Sequence, residues 1–187
     1  MENLIAPELR ILETLKIMYY EVVPPNLRTY CSLTSEISKA VLRHFGIETS
    51  LLPCQVWYAS PNKKIAIGFI GNKPRPNKWD GHVVCTAGSY FIDAALLHFN
   101  VEFGINVPAV AVCQKCSLPS QVIGLMDMND KEWLWWHHPP QGVDLAMPQV
   151  PHELISEYSA KLIDRLMEQH IQQVSLGMAG EYLLMRQ

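Results

Sequence analysis

Residues 81–93 read GHVVCTAGSYFID, and the pattern within this run decides the fold. Val83, Val84 and Cys85 form a short apolar stretch, Ala87 and Gly88 are small, and Tyr90, Phe91 and Ile92 resume the apolar pattern. Two short β-rich runs around a small-residue pair containing Gly predict a tight hairpin. The reading places strands at 82–86 and 89–93 flanking Ala87-Gly88. His82 then opens the first strand, Asp93 closes the second, and the two become cross-strand neighbours.

Upstream of the hairpin, 50–59 and 64–70 are Val-, Ile-, Trp- and Tyr-containing stretches separated by Ser60-Pro61-Asn62, which predicts two further strands. The turn-rich 71–77 reads as an exposed loop. Before these strands, Leu33, Ile37, Ala40 and Val41 recur at helical spacing after Cys31, with Gly46 as the stop signal. An earlier helix covers about 6–22, where Leu9, Leu12, Leu15, Ile17 and Met18 carry the pattern and Pro24-Pro25 ends it.

Downstream, 101–125 is apolar but broken by Pro108 and Pro119, and it yields no assignment. Trp133, Trp135 and Trp136 precede His137-His138-Pro139-Pro140. Core packing is the stronger plain reading of these tryptophans, while the acidic lead-in 127–130 and the proline-rich end suggest a surface loop, partly exposed and able to wall a cleft. Leu154, Tyr158, Leu162 and Leu166 predict a long helix over about 151–174. The expected class is α+β: a cysteine at a helix N-terminus packed on an antiparallel sheet, with a long C-terminal helix. One domain spans 1–187, with its core at about 6–125 and a helical extension at about 150–174.

Composition narrows the function. The chain of 187 residues is 49% hydrophobic and 18% charged, the range of globular domains rather than disordered chains. A net charge of −3 without basic runs argues against nucleic acid as a partner. The acids within MENLIAPELRILETLK argue against a signal peptide, and no run of 18 apolar residues offers a membrane span. A soluble, cytoplasmic protein is the expectation. Five cysteines, an odd number, argue against a disulfide framework.

Free thiols raise the question of which one is special. A helix N-terminus favours the thiolate through its positive dipole end and unpaired backbone N–H groups, and those N–H groups can also hold an oxyanion. Cys31 occupies such a place. A thiol nucleophile further needs a base and a group that orients the base. His82 and Asp93, brought together by the hairpin, supply both.

Taken together, Cys31 at a helix start, Gly81-His82-Val83-Val84 at a strand start and Tyr90-Phe91-Ile92-Asp93-Ala94 at the next strand's end resemble the transglutaminase-like branch of the papain-like fold. The order Cys, His, Asp matches that branch, and the resemblance covers about 29–99. It implies that Cys31 is the nucleophile, His82 the base and later the acid, and Asp93 the orienting carboxylate. Acyl transfer or hydrolysis would pass through a thioester formed from a protein, a peptide or a small amide or ester. No cofactor or metal is required, and the substrate class does not carry over.

Other residues have blander readings beside their functional ones. Gln55 can be an oxyanion donor or a solvated strand amide. Cys54 and Cys85 read as core. Cys113 and Cys116 have the spacing of half a zinc site, with His137 and His138 as the other half, but adjacent histidines seldom reach one metal. The alternative to an enzyme is a catalytically inactive interaction module of the same fold.

Overall fold

The computed structural model describes residues 7–70, 79–116, 121–129 and 131–184, the side chains of Pro7 and of 170–184 excepted. The turn-rich 71–77 segment, Pro119 and Asp130 lie outside the described residues. The chain runs α1 (Pro7–Val22), α2 (Cys31–His44), β1 (Thr49–Ser60), β2 (Lys63–Ile67), β3 (His82–Ala87), β4 (Tyr90–Asp93), α3 (Leu97–Phe103), β5 (Ala111–Gln114), β6 (Val122–Asn129), β7 (Glu132–His137) and α4 (His152–Leu184).

Helix α2 forms because Leu33, Ile37, Val41 and Leu42 share one side, and all four are buried there. It stops in a Schellman arrangement. Gly46, at φ +73, lets its own N–H reach the Arg43 carbonyl and lets the N–H of Ile47 reach Leu42. Helix α1 lies alongside, pinned by the buried Tyr19 hydroxyl, which donates to the Thr34 carbonyl and pairs with Ser38 Oγ, both at 2.7 Å. Leu162 and Leu166 bring α4 into the same apolar layer as Leu12, Leu15, Ile37, Val41 and Cys85. Each fully buried leucine there contributes about 1.5–3 kcal/mol.

The sheet is antiparallel at every described pairing, in the order β5-β4-β3-β1-β7-β6. Its two ends approach each other where the Cys116 N–H donates to the Ile123 carbonyl at 2.7 Å, so the sheet is nearly closed. Strand β1 is the spine. Residues Thr49 to Cys54 pair with β3, Val56 to Ser60 with β2, and Gln55 to Ala59 with β7. The inner face carries the second core, including Val84, Phe91, Phe99, Leu134 and Trp136. The class is therefore α+β, as the sequence predicts.

Several boundaries differ from the sequence reading. Strand β2 ends at Ile67, not at 70, because Gly68 (φ +85) and Phe69 (φ +53) turn the chain out of extended geometry. The β3–β4 turn is Gly88-Ser89, one residue later than predicted, since Ala87 pairs with Tyr90 and Gly88 takes the positive φ of the turn. The unassigned 101–125 stretch holds the end of α3, all of β5 and the start of β6. The tryptophan segment is strand β7, not a loop: it alternates Leu134 and Trp136 inward with Trp133 and Trp135 outward. Helix α4 continues ten residues past 174, to Leu184.

Candidate active site

Cys31 is the first residue of α2. Tyr30 precedes it in extended conformation (φ −98, ψ 91), offers no side-chain cap, and the first turn holds no acid. The first N–H groups of the helix are thus unclaimed by any capping side chain and lie beside the half-buried thiol. Cys31 Sγ lies 3.8 Å from the Gly81 carbonyl, the residue just before β3. One turn further along α2, Ser35 Oγ donates to the Val83 carbonyl at 2.9 Å. The two bonds fix the helix start against the start of β3.

His82 opens β3 and is 3% exposed; Asp93 closes β4 and is fully buried. In the β3–β4 register Cys85 stands opposite Ile92, so His82 and Asp93 are diagonal neighbours on the inner face rather than directly opposed. His82 Nε2 meets Asp93 Oδ2 at 2.7 Å. Cys31 lines the same cavity as His82 and acts on the ring electrostatically, and with Nε2 committed to the carboxylate, Nδ1 is the nitrogen left for the thiol. Burial lowers the pKa of the ring, but the charges of Asp93 and Cys31 and the hydrogen bond to Asp93 outweigh it and hold it up at about 10.

Asp93 has two further partners. The Trp136 indole Nε1 donates to Oδ2 at 2.7 Å, and the Ala95 backbone N–H donates to Oδ1 at 3.1 Å. Both carboxylate oxygens are satisfied in a fully buried site, which is the condition for a buried charge to persist. Trp136 is itself fully buried and packs edge-on against Phe91 at 5.1 Å. Reading the tryptophans as a loop hides this contact. The signal present in the sequence was the short run of bulky apolar residues Trp133 to Trp136 bounded by turn-forming segments, which fits a buried strand by length and composition.

Two glycines shape the approach to His82. A Cβ at Gly68 would fall 2.7 Å from His82 Cβ and 2.8 Å from the Cys54 carbonyl oxygen, so β2 can leave the sheet beside His82 only through a glycine. A Cβ at Gly81 would run into the rings of Trp79 and Phe69. The Phe69 N–H is held by the Asp80 carbonyl at 2.6 Å, closing this corner. Cys31 and His82 open into a cavity of about 560 Å³ walled by Ile67, Ile70, Trp79 and the His98–Glu102 pair of α3. The buried Trp79 Nε1 has no hydrogen-bond partner among the described residues.

The remaining sequence candidates fall elsewhere. Gln55 donates to the Phe69 carbonyl at 3.2 Å and accepts from Trp57 at 3.3 Å, so its amide supports the corner instead of facing Cys31. Cys54 and Cys85 are fully buried. Burial, followed by the charges of Asp93 and Cys31, pushes the Cys54 thiol well up, and burial pushes that of Cys85 up to about 12. Neither has the surroundings of a nucleophile. Cys113 is buried in β5, Cys116 is exposed, and His137 lies in β7. Among the described residues no group of three or more His, Cys, Asp or Glu side chains could hold a metal ion, and no helix is long and apolar enough to cross a membrane.

Comparison with known proteins returns no matching family model, no matching curated protein and no matching solved structure.

Proposed function

We propose that the chain is a thiol-dependent acyl-transfer enzyme of the transglutaminase-like, papain-like type, acting on an amide or ester of a protein, a peptide or a small molecule. One observation carries the reading. A cysteine at an uncapped helix start and a histidine held by a buried carboxylate at 2.7 Å open on one cavity, with the histidine's other nitrogen left for the thiol.

In this mechanism the Cys31 thiolate attacks the carbonyl carbon and the carbonyl electrons move onto oxygen. The backbone N–H groups of the α2 start accommodate that oxyanion. His82 Nδ1 gives its proton to the departing amine or alcohol as the bond to carbon breaks, leaving a thioester. Water or an amine then loses a proton to His82 and attacks the thioester carbonyl; the carbon–sulfur bond breaks, the acid or new amide departs, and Cys31 is released as the thiolate beside the protonated imidazole. Asp93 keeps its charge throughout and holds the imidazole in place.

The test is site-resolved iodoacetamide labelling of the native chain, of His82→Ala and of His82→Gln, followed by acylation with p-nitrophenyl acetate. Cys31 is expected to label faster than the exposed Cys116, to lose that advantage in both variants, and to carry the acetyl group. A Cys31 that labels no faster than Cys116, and does so independently of His82, would sink the enzyme and leave an interaction module of the same fold.

A further inference from the structure

Behind the Cys31 cavity lies a larger one of about 920 Å³. The α1–α2 connection and α3 separate the two. Thr29 and His98 face the Cys31 side, whereas Arg28 and Asn100 face the other.

Arg28 is 7% exposed and stands 5.1 Å over the Tyr20 ring. It forms no ion pair among the described residues. Its Nε is enclosed and has no acceptor. A guanidinium is always charged and carries five donors, and removing it from water is costly unless those donors are met. The face of one tyrosine offsets only a part of that cost.

With Arg28 and Lys63 against Glu132, the one acid among the described lining residues, the lining carries one positive charge in excess. Lys63 Nζ donates to the neutral Phe103 carbonyl at 2.8 Å, so its charge is not balanced there. Glu132 accepts from Tyr58 at 2.8 Å and from Asn129 at 2.7 Å. Asn100 Nδ2 donates to the Val107 carbonyl at 3.2 Å. The cavity is thus lined by a guanidinium with no ion pair among the described residues and by an excess of positive charge, which matches a small oxyanion.

We propose that this cavity binds a small organic anion, whose carboxylate or phosphate accepts from the Arg28 guanidinium. A volume of this size admits a molecule of metabolite dimensions. The site does not depend on the chemistry of Cys31.

Calorimetric titration of the full chain with malate and, separately, with glycerol 3-phosphate tests the assignment, chloride being used to hold ionic strength constant. Saturable binding of at least one is expected, and the stronger of the two identifies the anion. Arg28→Gln, checked by circular dichroism for an intact fold, weakens it by about tenfold or more, as loss of a charged hydrogen bond does. Should Arg28→Gln not fold, Asn100→Asp takes its place. That change keeps Arg28, adds a second carboxylate to the cavity lining so that its excess positive charge is cancelled, and weakens binding to a similar degree. No saturable binding by the native chain, or equal affinity in the variant, overturns the proposal.

Discussion

The β3–β4 and β6–β7 hairpins both deliver a donor to the same carboxylate oxygen, yet they do so by different routes. His82 and Asp93 belong to one hairpin, eleven residues apart, and a two-residue turn suffices to bring them to 2.7 Å. Trp136 reaches Asp93 from 43 residues further along the chain. Between β4 and β7 in the sheet stand β3 and β1, so the indole arrives only because the sheet curls and its inner face folds back over Asp93. The first contact is a property of local register, and the second is a property of closure. The site uses both: the local pair sets the chemistry in the proposed mechanism, and the distant donor satisfies the buried carboxylate.

The largest effect comes from attacking the local pair. Asn in place of Asp93 preserves shape, but its single amide oxygen can accept at only one of the two carboxylate positions that Trp136 and Ala95 now use, and it removes the charge that favours the protonated imidazole. We expect Asp93→Asn to slow acylation of Cys31 by about 10³-fold or more, measured as the rate of p-nitrophenol release. A loss smaller than about tenfold would mean that His82 does not need the carboxylate.

The same pair sets the pH response. With its pKa held up at about 10, the His82 ring carries its proton through neutral pH and loses it only as pH rises through that value. Acylation, which needs that proton for the leaving group, therefore falls on the alkaline side and not near the ordinary histidine value of about 6.5. Removing the negative charge in Asp93→Asn removes a raising influence, so the ring proton is lost at lower pH. Histidine NMR titration of both proteins checks this directly; a His82 ring already neutral at pH 8 would contradict it.

A third change tests whether local register alone is enough. Gly68→Ala leaves the hairpin sequence intact but places a methyl group 2.7 Å from His82 Cβ and 2.8 Å from the Cys54 carbonyl oxygen. Either β3 or the exit from β2 must move, and the positive φ at 68 adds strain. A displacement on the order of 1 Å costs about 100-fold in rate, with loss of stability of about 1–3 kcal/mol in urea denaturation. Wild-type acylation by Gly68→Ala would show that the corner yields without moving His82.

Legibility follows the same division. Cys31, His82 and Asp93 could be found because each stands at an element boundary marked by its own neighbours: the apolar spacing of Leu33, Ile37 and Val41, and the small residues of the turn. The one-residue error at Gly88 changed a facing pair into a diagonal one without separating it, because a diagonal on the same face remains within reach of a long side chain. Trp136 was hidden by the prolines and histidines that follow it, which have the composition of a loop, and by the unbroken apolar run Trp133 to Trp136, which shows no alternation to mark a strand. Arg28 was hidden for another reason. Its burial arises from α1, α3 and two hairpins meeting around it, and no local pattern encodes such a convergence.

Trp136→Phe gives the smallest expected change and bears most directly on the contrast between the hairpins. Phenylalanine keeps an aromatic ring against Phe91 but removes the N–H that donates to Asp93 Oδ2. The oxygen still accepts from His82, and Oδ1 still accepts from Ala95, so the carboxylate is weakened rather than abandoned. A hydrogen bond to a charged group is worth about 1.5–3 kcal/mol, and the smaller ring leaves unfilled space that adds to the cost. Stability in urea should fall by that order, while acylation drops about tenfold or less, since the donor acts on the reaction only through Asp93 and His82. If the rate instead falls as far as in Asp93→Asn, closure of the sheet is as much a part of the chemistry as the hairpin. If stability is unchanged, the indole bond contributes nothing net, and closure rests on apolar packing at Phe91 and Leu134 alone.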